Sequence, residues 1–217
     1  TLRDAARLDR ELASLDAQAL MQWALDAYGR DVVIASSFGA EDVVLVHLAA
    51  QVAAAPRIFT IDTGRLPQET FDVMEALRAR YGVRFEVVSP DPDAIAALVA
   101  ERGPNSFYRS VDDRRTCCHI RKVEPLGRIL STASAWITGM RREQSPTRTD
   151  IARVSVDLAH GSKLKLNPLA DWVEDDVWAF IRAHDIPYNA LHDQGYPSIG
   201  CAPCTRAIEP GEDPRAG

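Results

Sequence analysis

The residues of this 217-residue chain best suited to do chemistry are its four cysteines, which fall into two pairs with none left over. Cys117 and Cys118 stand in tandem, and Cys201 and Cys204 form a Cys-x-x-Cys. Four thiolates brought together in space suit tetrahedral zinc or an iron-sulfur cluster. The tandem spacing separates the two, because structural zinc sites use spacings of two to four residues. A helical or bent backbone can send adjacent sulfurs to different irons of a cubane. Spacing therefore favours an iron-sulfur cluster on Cys117, Cys118, Cys201 and Cys204, with zinc and a redox-active Cys201/Cys204 pair as alternatives.

Arg121 and Lys122 follow the tandem pair within about a turn, and cations beside an anionic cluster stabilise it and raise its potential. Lys122, one of only three lysines against 22 arginines, is a candidate bridge from the cluster region to an anionic substrate. The alternative is that both cations cap a helix or face water. The arginines bunch in Arg109, Arg114, Arg115 and Arg121, and again in Arg141, Arg142 and Arg148. In a chain of net charge -6, such local clusters fit a small anionic ligand, since a guanidinium fork matches phosphate or sulfate oxygens two at a time. The same net charge argues against non-specific nucleic-acid binding.

The elements that must position these residues are legible from periodicity. Leu2 to Leu25 reads as amphipathic helix, and residues 1–28 as an N-terminal helical part. Strands are predicted at 32–35, 57–61, 83–88 and 133–139, and helices at 40–50, 67–81, 91–100 and 174–184. A hairpin over 153–157 and 163–167 turns around His160-Gly161. Residues 103–118 read as a polar loop, and the Gly- and Pro-rich stretch 195–217 as a loop and the start of a tail. Strands alternating with helices imply an α/β fold with a parallel-type sheet and flanking helices, here as one domain over 1–217. The longest apolar runs, such as Val43 to Ala50, are too short to span a bilayer. With no leader pattern, the expectation is a cytoplasmic protein, where structural disulfides are disfavoured.

Ligands of such sheets sit beyond the carboxyl ends of the strands. Three polar strand ends therefore share one rim. Ser36, Ser37, Phe38, Gly39, Glu41 and Asp42 form a small-residue turn before a helix start, a geometry that aims backbone N–H groups at an anion. Thr63, Gly64 and Arg65 follow the second strand, and Gly139, Arg141 and Arg142 a later one. Together they point to a nucleotide pocket, against the alternative of three independent helix caps.

The segments 36–42, 61–69, 117–126, 137–148, 167–172 and 186–206, in that order, resemble the assimilatory adenylyl-sulfate reductases, within the wider group of phosphoadenylyl-sulfate reductases. That group is similar to the ATP-pyrophosphatase-type, adenine-nucleotide alpha hydrolase-like fold. Ser37-Phe38-Gly39-Ala40-Glu41-Asp42 stands in place of its Ser-Gly-Gly-x-Asp-Ser loop. The resemblance implies a 4Fe-4S cluster and reduction of adenosine 5'-phosphosulfate in preference to its 3'-phosphorylated relative. It implies attack of a cysteine thiolate on the sulfate sulfur, giving AMP and an S-sulfocysteine from which a thioredoxin or glutaredoxin-like dithiol releases sulfite. Lys122, Arg141, Arg142 and Arg215 would offset the like-charge repulsion of that attack. In the family the nucleophile lies in a Glu-Cys-Gly-Leu-His-like tail, expected here beyond Gly217. A homo-oligomer is the further expectation. The alternatives are a phosphoadenylyl-sulfate reductase, a nucleotidyl-transfer or thiolation enzyme of the same fold with a four-cysteine zinc site, and a nucleotide-binding redox sensor.

Overall fold

The computed structural model describes residues 2–144, 150–209, 211–213 and 216–217. Two helices open the chain, α1 (Leu2–Glu11) and α2 (Ala17–Tyr28), the second started by Asp16, whose carboxylate accepts from the N–H of Ala19 at 2.7 Å. Strand β1 (Val32–Ala35), helix α3 (Ala40–Val52), strand β2 (Ile58–Ile61), helix α4 (Gln68–Tyr81), strand β3 (Phe85–Val88) and helix α5 (Pro92–Arg102) then alternate. Gly82 ends α4 in the left-handed conformation, and Asp91 with Pro92 starts α5. The C-terminal half carries α6 (Val111–Cys118), α7 (Glu124–Leu130), β4 (Ala135–Ile137), β5 (Val154–Asp157), β6 (Lys163–Leu166) and α8 (Glu174–Ala183).

The six strands form one sheet in the order β3-β2-β1-β4-β6-β5. All neighbours are parallel except the β5–β6 hairpin, which pairs Val154 with Leu166 and puts an antiparallel strand on the edge. Helix α3 is buried along most of its length, from Val43 to Ala49, because it is apolar on every face and packs between the sheet, α2 and α8. A smaller core lies on the opposite face, where Ile129 and Leu130 of α7 cover Val33, Phe59 and Trp136. The strand order reverses between β1 and β4, because successive strands are added on one side of β1 up to β3 and on the other side from β4, which opens a crevice at their carboxyl ends.

One prediction fails here. Residues 103–118 are not loop throughout: a single turn spans Ser106–Tyr108, and α6 follows. Ser110 caps that helix, accepting from the N–H of Asp113 at 3.0 Å, and Asp113 pairs with Arg102 at 3.1 Å. The sequence Val-Asp-Asp-Arg-Arg-Thr-Cys-Cys has no apolar stripe, so periodicity misses it. The helix is held by its cap and by Cys117 packing against Leu98 and Phe107. It runs on through a π-type turn at His119–Val123 into α7. Strand ends also shift inward, with β3 starting at Phe85 and β4 limited to three residues.

Candidate active site

The loop after β1 is built around a backbone turn that most residues avoid. Phe38 has φ +63° and a side chain only 1% exposed, packed edge-on to Phe85 with ring centroids 5.1 Å apart. The left-handed turn swings the neighbouring N–H groups to one side. Ser37 donates to Asp42 from its backbone N (2.6 Å) and from Oγ (2.7 Å). The buried Ser36 hydroxyl accepts from the N–H of Phe38 at 3.3 Å. Burial pushes the Asp42 carboxyl up to about 6, against the lowering effect of its hydrogen bonds from Ser37.

Ser37, Gly39, Glu41 and Asp42 face Thr138, Gly139 and Arg141 across a cavity of about 1060 Å³ in the β1/β4 crevice. This is at the upper end of the size of small-molecule sites, roughly 300–1,000 Å³. Gly139 is required there, since a Cβ would lie 2.8 Å from Oδ1 of Asp42 and 2.8 Å from Cβ of Glu41. Arg141 is 5% exposed, and its guanidinium is held by Glu41 (2.8 Å) and Glu143 (3.1 Å). Gln144 completes the set, donating to Glu41 at 2.8 Å. Arg141 thus braces two loops and does not reach into the cavity as a free cation. Arg142 points elsewhere, donating to the carbonyl of Ile151 at 2.8 Å and pairing with Asp171.

The far wall comes from residues that sequence reading passed over. Trp178 and Arg182 of α8, then Tyr188, His192 and Tyr196, line the same cavity. The indole of Trp178 lies edge-on to Tyr188 and His192, each at 5.2 Å between centroids. Burial lowers the His192 pKa, so the ring is neutral at pH 7. The helical period of 174–184 was legible, but nothing in it marks which face meets a ligand.

All four cysteines line a second, small cavity of about 60 Å³, with Arg65, Phe107, Arg114, Arg121 and Lys122. The tandem pair sits on the last turn of α6, just before the π-type turn, whose extra residue changes the direction of the side chains that follow it. Cys201 and Cys204 come from a loop closed by the Ile208 N–H donating to the carbonyl of Gly195 at 2.9 Å. Thr63 Oγ1 lies 3.2 Å from Sγ of Cys201, and Ala202 N–H donates to the carbonyl of Arg65 at 2.8 Å. The loop after β2 is thereby fastened to the cysteine loop. Thr63, Gly64 and Arg65, expected at the nucleotide rim, stand beside the cysteine cavity: a Cβ at Gly64 would lie 3.3 Å from the Arg121 guanidinium, and Arg65 stacks 4.5 Å from the Phe107 ring centroid.

The donor set fits a cluster. Arg121 is 6% exposed and donates to the carbonyl of Thr63 at 2.6 Å, yet its Nε is buried with no partner. Among the described residues neither Arg121 nor Lys122 has a carboxylate partner. A buried cation left unpaired asks for an anion, and four thiolates around a cluster supply one. All four sulfurs line one cavity, a donor set of four thiolates that a cluster or a tetrahedral metal ion could take. Burial and the neighbouring thiols push the Cys204 pKa up, while Arg114 and Lys122 pull it down.

One loop joins the two cavities: its residues 195–199 and Ile208 line the large one, and Cys201 and Cys204 the small one. Lys122 sits at the join, its Nζ 3.9 Å from where a Cβ of Gly200 would be. Arg148 and Arg215 lie outside the described residues.

Residues 31–207 match the phosphoadenosine phosphosulfate reductase domain. The chain is 52% identical over 208 residues to an adenosine 5'-phosphosulfate reductase of Allochromatium vinosum, covering 96% of this chain and 79% of that protein. It is 53% identical over 186 residues to the protein of that name from Burkholderia cepacia, covering 86% and 74%. A crystal structure of phosphoadenylyl-sulfate reductase from Candida auris in a phosphate complex superposes with a TM-score of 0.81 at 25% identity, covering 95% of this chain and 98% of that one. With residues 31–207 matched, the chain belongs to the phosphoadenosine phosphosulfate reductase domain family.

Proposed function

We propose that the chain reduces adenosine 5'-phosphosulfate to sulfite and AMP, with a 4Fe-4S cluster on Cys117, Cys118, Cys201 and Cys204. The observation that carries this reading is the loop shared by a nucleotide-sized pocket and a cation-lined four-cysteine cavity. Sequence identity above one half with relatives named for this activity supports it.

In the proposed reaction, the adenosine half lies against Trp178 and Val177, and the phosphosulfate points toward the β1 loop and Lys122. A cysteine thiolate other than the four around the cluster attacks the sulfate sulfur. The bond from that sulfur to the bridging oxygen breaks, and AMP leaves with the electron pair. The product is an S-sulfocysteine. One thiolate of a thioredoxin or glutaredoxin-like dithiol then attacks the cysteine sulfur, and sulfite departs with the pair from the S–S bond. The second thiol resolves the mixed disulfide, so the dithiol supplies both electrons. Lys122 offsets the repulsion between an anionic nucleophile and an anionic substrate. The cluster, when bound, supplies a buried anionic centre that holds α6 against the cysteine loop and orients Lys122. Arg141 shapes the pocket through Glu41 and Glu143.

Sulfite release from adenosine 5'-phosphosulfate, measured with a dithiol donor and the protein carrying its native C-terminus, tests the proposal. The 3'-phosphorylated substrate is run in parallel. Turnover of the first and little of the second is the expected result; preference for the second would make the chain a phosphoadenylyl-sulfate reductase, and turnover of neither would refute the activity.

A further inference from the structure

The anion nest at the end of β1 is already filled by the protein itself. The left-handed turn at Phe38 brings the N–H groups of Ser37 and Gly39 toward one point, an arrangement that suits a phosphate oxygen. The carboxylate of Asp42 occupies that point, accepting from Ser37 N (2.6 Å), Ser37 Oγ (2.7 Å) and the N–H of Gly39. Its other oxygen lies against the end of β4, where a Cβ on Gly139 would be 2.8 Å from Asp42 Oδ1. Glu41, the next acidic group, is held by Arg141 and Gln144. Asp42 stands where the Ser-Gly-Gly-x-Asp-Ser pattern ends in an uncharged serine.

We propose that Asp42 is a specificity-determining residue that closes this pocket to the terminal phosphates of nucleoside triphosphates, leaving it to nucleotides with a short 5'-anion. A polyphosphate chain entering the nest has to share donors with a carboxylate or displace it, and displacement leaves a desolvated charge without partners. A carboxyl that burial pushes up to about 6 is charged at pH 8 and becomes increasingly neutral below pH 6. The inference rests on the reading of the large cavity as a nucleotide site.

The test is calorimetric titration of AMP and of ATP, without divalent cations, into the wild-type protein and the Asp42→Asn and Asp42→Ser variants at pH 8. The wild type should bind AMP, and ATP at least about tenfold more weakly. Both variants should shift the ATP-to-AMP affinity ratio toward ATP by about tenfold or more while AMP affinity stays within about threefold. An unchanged ratio in either folded variant overturns the proposal, as does wild-type protein that binds ATP as tightly as AMP. Absence of AMP binding by the wild type would remove the nucleotide-site reading, and the proposal with it. A variant that does not fold leaves the wild-type ratio itself as the measurement: it should narrow between pH 8 and about pH 5.5, and a constant ratio counts against the idea.

Discussion

Thr63 Oγ1 lies 3.2 Å from the sulfur of Cys201, a buried contact across 138 positions of sequence that ties the loop after β2 to the C-terminal cysteine loop. The same hydroxyl accepts from the N–H of Arg65 at 3.2 Å, and the Thr63 carbonyl accepts from Arg121 at 2.6 Å. Thr63 is therefore the hinge-pin of the cysteine cavity. A hydroxyl donating to a cluster-ligating sulfur raises the reduction potential. With the proposed cluster in place, Thr63→Val keeps the shape and removes the donor, so the reconstituted protein should hold as much iron but show a more negative midpoint potential in a redox titration. An unchanged potential would mean that the hydroxyl does not act on the sulfur.

Arg121 makes the opposite trade. Its buried Nε has no partner, and a buried cation without an anion destabilises the fold. Arg121→Met should leave the melting temperature of the iron-free protein equal or higher, by about 2–4 °C for each kcal/mol relieved. It should also shorten the lifetime of the reconstituted cluster in air. Equal losses of stability with and without iron would show that the arginine serves only packing.

Lys122 belongs to the passage between the two cavities. Replacing it with alanine should lower turnover of adenosine 5'-phosphosulfate by roughly 100-fold, the scale of losing one charge-stabilising group, while iron content stays nearly intact. Unchanged turnover would refute its proposed role.

Asp42 gives a pH signature in stability. Its carboxyl is held near 6 in the fold against 3.8 unperturbed, so the folded protein binds the proton more readily. That contribution is present at low pH and is lost as pH rises through about 6. Asp42→Asn should thus melt higher than wild type at pH 8, by about 2–4 °C or more, and the gap should close near pH 4. A gap that is the same at both values would contradict the burial argument.

The acid side has its own contributor. His47 is buried against Tyr81 (2.9 Å to the hydroxyl) and the ring of His184 (4.8 Å between centroids), with Arg80 nearby. Burial first, then the two neighbouring charges, lower its pKa below 6.5. The unfolded chain takes up that proton first, so stability falls as pH drops below about 6.5. Between pH 7.5 and 5.5, wild-type protein should lose about 2 °C more than His47→Gln in thermal melts, with His192 still contributing in both.

What sequence could and could not reveal follows from the range of the interactions. The strand-turn-helix at 32–42 is a local pattern, so the anion nest was legible. The group that fills it was not, because this depends on a phenylalanine in a glycine-like conformation and on the rotamer of Asp42. Arg141 and Arg142, read from sequence as substrate-binding residues, had their ion-pair partners hidden for the same reason. Their acidic partners Glu41 and Asp171 lie 100 and 29 positions away, and only the fold brings them together. The pairing of the two cysteine motifs was legible from chemistry alone, since four thiols with no remainder suggest one site. Helix α6, which carries the first pair, escaped because it lacks an apolar stripe and relies on Ser110 and Cys117.

The central claim is that Cys117, Cys118, Cys201 and Cys204 surround a cluster. Metal analysis of the protein purified and reconstituted without oxygen tests it most directly. The account predicts about four irons per chain with no zinc, and loss of that iron in Cys201→Ser and in Cys118→Ser. Stoichiometric zinc without iron, or full iron retained by either variant, would contradict it.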